Sequence, residues 1–167
     1  NEGPDDVRAI YNMGVDFDKK PDGSLNMTLE GGHCRHRIVH HKDSTGDEIT
    51  TTLLKRVKEL NNVEMHENTC CLSIQRAENG FLLELIEDGE IYYTLASFVI
   101  LATGGIGRVY KYTTKSSIAT GDGIRLAYEL GAHIKDLDYI QFHPTAFAAG
   151  EGRERFLISE AVRGEGA

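Results

Sequence analysis

Hydrophobic and polar residues recur along this chain with two different periods, and the switches between them mark its elements. Pro4-Asp-Asp-Val-Arg-Ala-Ile-Tyr-Asn-Met-Gly14 has a proline and acids at its front, Val7, Ile10 and Tyr11 on one helical face, and a closing glycine, which together predict a short helix. Asp16 to Asn26 follows neither period and reads as an irregular turn or hairpin with Lys20-Pro-Asp-Gly23 at its tip. Asp47 to Leu60 places Leu53, Leu54, Val57 and Leu60 along one side and Lys55, Arg56, Lys58 and Glu59 along the other. It predicts a helix packed on a sheet and stopped by Asn61-Asn62.

Beyond that helix the period shortens to two. Val63 to His66 reads as a short strand, so that helix, turn and strand form an α/β unit. Asn68 to Gln75, Gly80 to Glu87 and Glu90 to Ser97 alternate between Ala77-Glu-Asn-Gly80 and Asp88-Gly89, and Asp-Gly between two such runs is a hairpin signal. The three predict an antiparallel meander. Phe98-Val-Ile-Leu-Ala-Thr-Gly-Gly105 is a continuous apolar run, expected to be a strand buried on both faces of a parallel sheet, with its glycine end where such sheets bind ligands. Thr120 to Gly131 predicts a helix capped by Thr120 and closed by Gly131, and Arg155 to Arg163 a further helix after the polar loop Gly150-Glu-Gly-Arg-Glu.

Composition narrows the class of partner. With 167 residues and 40% hydrophobic content the chain can bury a core, and its net charge of -8 argues against nucleic acid, which needs a basic face. No apolar run approaches membrane-spanning length and the start lacks a signal-peptide pattern, so a cytoplasmic setting is expected. Cys34, Cys70 and Cys71 are odd in number and lack the spacing of a disulfide framework. They are expected to be reduced, with Cys70-Cys71 in a packing role.

Two stretches carry candidate chemistry. In Tyr139-Ile-Gln-Phe-His-Pro-Thr145, Ser159-Glu160 and Arg163-Gly-Glu-Gly-Ala167, the donors His143, Ser159 and Arg163 suit a small carboxylic acid, although a single His before Pro is more often a turn or core residue. Glu30-Gly-Gly-His-Cys-Arg-His-Arg-Ile-Val-His-His41 offers His33, Cys34, His36, His40 and His41 to a zinc ion, the reading of a non-catalytic metal-binding module. Their spacing matches no common zinc module, and Arg35 and Arg37 place positive charge beside any cation. Paired glycines with flanking Arg and His suit an anionic ligand better, with Glu30 holding a cationic group next to it.

Gln141-Phe-His-Pro-Thr followed by Ser-Glu-x-x-Arg-Gly-Glu-Gly resembles the flavoprotein family of succinate dehydrogenase, fumarate reductase and L-aspartate oxidase. Glu30-Gly-Gly-His, then Arg37 and Asp43-Ser-Thr-Gly46, resembles its L-aspartate oxidase branch, where the dicarboxylate relatives usually carry Phe before the glycines. The physical logic agrees, since an amino-acid substrate brings an ammonium that a buried Glu30 can pair with, and succinate does not.

The resemblance implies an α/β fold. It would be part of an FAD-binding doubly wound domain with an antiparallel β-meander, plus the start of an α+β capping domain. Residues 1–26 would be a helix and turn left unassigned between the two, 27–141 the FAD-binding portion with its meander at about 63–97, and 142–167 the start of the capping, substrate domain. It also implies oxidation of L-aspartate to iminoaspartate by hydride transfer to FAD in NAD biosynthesis, with oxygen or fumarate as acceptor and coupling to quinolinate synthase. Glu30, His143, Thr145 and Ser159 would bind substrate, Glu160 and Arg163 would order the catalytic charge and proton network, and Gly31, Gly32, Thr103, Gly104, Gly105 and Asp122 would meet the cofactor. Ser159 stands where Thr is common, with the hydroxyl kept. A succinate dehydrogenase or fumarate reductase flavoprotein subunit is the rival within the family. A Gly-x-Gly-x-x-Gly pyrophosphate loop is absent and the chain stops inside Arg-Gly-Glu-Gly. The segment is therefore expected to be an internal excerpt, inactive and poor at holding flavin by itself, with the acid/base Arg downstream.

Overall fold

A computed structural model describes residues 2–148, 155–158 and 162. It divides into two compact units, one formed by the chain up to Met65 with the segment from Ile158, the other by His66–Leu157.

The first unit begins with α1, Gly3–Asn12, whose first turn holds Pro4, Asp5 and Asp6, favourable at the positive end of a helix. Val7 and Ile10 are half-buried, as their spacing implies. Residues 15–18 then form a strut in which Val15 and Phe17 are each 1% exposed, while Asp16 and Asp18 carry polar contacts. The Asp18–Asn26 turn closes as expected, with a bridge between Lys19 and Leu25 and a bond from Gly23 N–H to the Lys20 carbonyl. It leads to β1, Met27–Thr28, paired antiparallel with β2, Ile38–Val39.

Helix α2 spans Thr45–Lys58, starting two residues before the predicted Asp47 and ending ahead of Leu60 and the Asn61-Asn62 stop. Leu53 and Val57 are half-buried but Leu54 and Leu60 are exposed, so its apolar stripe is narrower than the sequence suggests. Rather than lying on a sheet, α2 grips the strut through polar groups. Glu48 accepts the Asp16 N–H at 3.0 Å and the Thr52 hydroxyl at 3.1 Å, and Arg56 donates to the Met13 carbonyl at 2.8 Å. The strand expected at Val63–His66 does not form. These residues are exposed and pair with no neighbour in a ladder.

The second unit is built on the predicted meander, β3 Thr69–Ala77, β4 Gly80–Glu87 and β5 Glu90–Ala96, in that order in the sheet. Asp88 (φ 50°) and Gly89 (φ 89°) both take the left-handed conformation that a two-residue hairpin needs, which explains why Asp-Gly stands there. A bulge between Cys71 and Ser73 leaves Leu72 out of the ladder.

The run from Phe98 departs from expectation. It forms no strand, and Phe98 and Ile100 are 88% and 91% exposed. Burial on both faces requires flanking parallel strands, and among the described residues every strand pair is antiparallel.

Helix α3 spans Asp122–Glu129. Its N-cap is Gly121, in the left-handed region at φ 87°, and not Thr120, whose hydroxyl turns to the Asp122 carboxylate and the Ile118 carbonyl. Its far end closes as predicted, with Gly131 at φ 88° and bonds from Gly131 to Tyr128 and from Ala132 to Ala127, the pattern of a glycine C-cap. Arg125 donates to the Leu72 carbonyl at 2.8 Å and pairs with Glu129, tying α3 to the bulge of β3. Ile74, Thr113, Ala119 and Leu126 are the buried residues of this unit's core, with Gly123 also buried. The predicted helix from Arg155 is not present at its start, because Leu157 pairs with Ala146 in an isolated bridge. Val162 is helical, and the rest of that prediction lies outside the described residues.

Two outcomes follow from this packing. A Cβ added at Gly123 would lie 2.0 Å from the Thr103 hydroxyl. Gly123→Ala is therefore expected to lower stability by about 1–3 kcal/mol in thermal or urea unfolding. Backbone N–H groups of Lys42 and Asp16 hold the Asp18 and Glu48 carboxyls below the usual carboxylate range. Such groups contribute stability that is complete above their unfolded pKa and is lost as pH falls through the lowered folded value. The first unit should therefore loosen on acidification below about pH 4, and Glu48→Gln should blunt that loss in melts recorded across the range.

Candidate functional site

The site grows from the end of the unpaired apolar run. Gly123 and Gly121 of the α3 N-terminal turn lack side chains where Thr103 and Ile106 press against them. An added Cβ would come within 2.0 Å of Thr103 Oγ1 and 2.7 Å of Ile106 Cγ1. The Thr103–Ile106 turn is thus seated on the start of α3. Gly104 (φ 73°) and Gly105 border open space, with nothing beyond their chain neighbours within 4 Å of an added Cβ. Thr103, Gly104, Gly105 and Asp122, four residues expected to meet a cofactor, are exposed at this one end of the helix.

Gly105 also lines a pocket of about 540 Å³, bounded by residues 105–107, the segment from Tyr110 to Lys115, the segment from Tyr139 to His143, and Ala146, Arg155 and Leu157. Tyr110 and Phe142 meet edge to face at 5.8 Å between ring centres. Lys115 lays its stem over Gly107, where a Cβ would meet its Cγ at 2.8 Å, and its N–H bonds to the buried Thr113 hydroxyl at 3.1 Å. Arg155 is fixed by a backbone bond to the Thr113 carbonyl at 2.8 Å, with its guanidinium 4.5 Å above the Tyr112 ring.

His143 is half-buried in this wall, its Nδ1 2.9 Å from the Thr145 carbonyl and 3.2 Å from the Thr145 N–H. If Nδ1 accepts the N–H, Nε2 carries the proton, and it is that tautomer, or the imidazolium, that can donate to an anion. Among the described residues the lining contains Lys115, His143 and Arg155 and no Asp or Glu, in a chain whose net charge is -8. Such a lining concentrates positive potential beside flat aromatic surface, and it suits an anionic ligand with a planar portion.

Glu30, Gly31 and Gly32 belong to the other unit, on the loop between β1 and β2. Glu30 is half-buried and its carbonyl accepts the His33 N–H at 3.0 Å; Gly32, at φ 86°, has open space beside it. Histidines of this stretch have other partners. His33 Nδ1 accepts from Arg37, His40 faces Asp18 at 3.1 Å and His41 faces the Asp16 carbonyl at 2.5 Å, and no group of three ligating side chains converges among the described residues. Cys70 is exposed and Cys71 half-buried, the in-and-out pair expected of a strand. Burial pushes the Cys71 thiol up, away from reactivity.

The fold therefore unites Gly105 with His143 in one pocket, with Thr103, Gly104 and Asp122 adjoining and Thr145 bonded to His143. Ser159, Glu160 and Arg163 lie outside the described residues. Lys115, Arg155 and the Tyr110–Tyr112 aromatics were not singled out in the sequence. Their signal is the density of basic, aromatic and hydroxyl residues in Gly107-Arg-Val-Tyr-Lys-Tyr-Thr-Thr-Lys115, which belongs to no regular element longer than one 3-10 turn.

A glycine-bearing segment packed on a helix N-terminus, beside a pocket lined among the described residues by aromatic and basic side chains and no acid, suits a planar anionic cofactor. The chain belongs to the FAD binding domain family, which matches residues 1–167. It is 42% identical over 169 residues to an L-aspartate oxidase of Nostoc sp., covering 99% of this chain and 29% of that protein. It is 41% identical over 167 residues to one of Clostridium acetobutylicum, covering 99% and 38%. Among solved structures, an E. coli quinol fumarate reductase FrdA superposes with a TM-score of 0.88 at 29% identity, over 99% of this chain and 28% of the other. Mycobacterium smegmatis Sdh1 follows at 0.82 and 30%, over 98% and 30%. The chain thus spans between about a quarter and two fifths of the length of these relatives.

The residues present fit an FAD: the open faces of Gly104 and Gly105 admit a flat ring against backbone, and the cations suit its negative charge. In the full-length protein, Gly105→Ala should therefore leave stability within about 0.5 kcal/mol, its Cβ meeting no protein atom. The same change should cost flavin retention, read as the ratio of flavin to protein absorbance after desalting.

Proposed function

We propose that this chain is part of a flavin-dependent L-aspartate oxidase, which converts L-aspartate to iminoaspartate. The observation that carries the reading is the pocket joining Gly105 to His143, lined among the described residues by basic and aromatic side chains and by no carboxylate. Two further facts favour an amino-acid substrate over a plain dicarboxylate. Identity is 41–43% to three named L-aspartate oxidases, against 29–30% to the fumarate reductase and Sdh1 structures, and Glu30 stands before Gly31-Gly32.

Bound flavin would supply the acceptor for the hydride leaving the substrate α-carbon. The chain's own groups would do the holding. Glu30 pairs with the ammonium, and His143, with Thr145 orienting its ring, donates to a carboxylate together with Ser159. Glu160 and Arg163 order the charge beside the reacting carbon, and Gly31, Gly32, Thr103, Gly104, Gly105 and Asp122 pack against the cofactor. In this reading residues 27–141 belong to the flavin domain and 142–167 open the capping domain. Oxygen or fumarate would serve as the final electron acceptor, and iminoaspartate would go on to NAD biosynthesis through quinolinate synthase. A cytoplasmic setting accords with three free thiols and with no helix among the described residues long and apolar enough to cross a membrane.

A succinate dehydrogenase or fumarate reductase flavoprotein subunit is the second reading, favoured by the TM-score of 0.88. The two separate in the full-length enzyme. Glu30→Gln is expected to raise KM for L-aspartate about tenfold or more, the loss of one charge-assisted contact, and to leave succinate binding unchanged. Wild-type enzyme that turns over succinate but not L-aspartate would establish the second reading instead.

A further inference from the structure

The loop that carries Glu30 hangs between β1 and β2, a ladder of only two residue pairs, Met27–Val39 and Thr28–Ile38. So short a ribbon has little stability of its own. What closes its base is Asp18. The Asp18 N–H donates to the His40 carbonyl at 2.8 Å, just after β2, and the Asp18 carbonyl accepts the Asn26 N–H at 2.8 Å, just before β1. These two bonds are backbone and survive any side chain. The carboxylate adds the rest, accepting the Lys42 N–H at 3.0 Å and facing His40 Nδ1 at 3.1 Å. Lys42 sits at φ 45°, a conformation non-glycine residues rarely adopt, so the exit from β2 needs an outside restraint, and this carboxylate supplies one. The strut bearing Asp18 is itself immobilised by Phe17 and Val15 in the core and by Glu48 of α2.

We propose that Asp18 is a positioning residue that sets the Glu30 loop and, through it, the preference for an amino diacid over a plain diacid. The inference rests on the reading of Glu30 as the ammonium partner. It assigns Asp18 no contact with substrate. Its effect runs through the geometry of the loop base.

The test uses the full-length enzyme, with KM for L-aspartate and Ki for succinate as a competitive ligand, both referred to bound flavin. Asp18→Ala should raise KM for L-aspartate about tenfold while Ki for succinate stays within about twofold. Asp18→Asn, which keeps an acceptor for the Lys42 N–H, should recover most of the difference. A parallel rise in both constants would show general loosening and overturn the proposal, as would no change in either. Glu30→Gln separates the two levels. If it shifts the aspartate-to-succinate ratio and Asp18→Ala does not, the positioning role alone fails. If it shifts nothing, the reading of Glu30 fails and the role of Asp18 falls with it.

Discussion

The contact between the Thr103 hydroxyl and the bare backbone of Gly123 is the constraint on which the seating of the Thr103–Ile106 segment depends. It leaves no room for even one methyl group, while Gly104 and Gly105, next along the chain, border open space. Ile106 against Gly121 repeats the device two residues earlier, at the N-cap, so the seat is held at two points.

Electrostatics complete what packing begins. Asp and Glu outnumber Lys and Arg in this chain by 26 to 18, yet the pocket beside the Gly104-Gly105 segment gathers Lys115, His143 and Arg155. Each is held by a different means: the lysine stem over Gly107, the imidazole against the Thr145 backbone, the guanidinium over an aromatic ring. The charges of Lys115 and Arg155 brought to one cleft repel one another, an arrangement that favours a negatively charged guest.

Much of this was legible in the sequence, for reasons that can be named. The meander was readable to within a residue or two because alternation and Asp-Gly are local signals, and α1 and the end of α3 because proline and glycine fix backbone angles at single positions. The His-Pro-Thr and Ala-Thr-Gly-Gly segments were found by pattern, and the fold brings them to one pocket. The failures share a cause. The Phe98 run looks like a buried strand because its composition suits that environment, yet a strand also needs neighbours. Thr120 looks like a cap, but Asp122 competes for its hydroxyl. Asp18, Arg125 and Arg155 act through partners 24, 53 and 42 residues away, and no local period encodes those distances.

The bulge at Leu72 has a consequence for how the second unit assembles. The meander's pairings are all between strands adjacent in sequence, so its loop-closure cost is small and it can form early. Within the formed ladder the bulge keeps the Leu72 carbonyl out of strand pairing, and that carbonyl is the docking point for Arg125. The irregularity in the strand therefore serves as a joint: the helix that packs against Thr103 is tied to the sheet through a carbonyl that an unbroken ladder would have occupied.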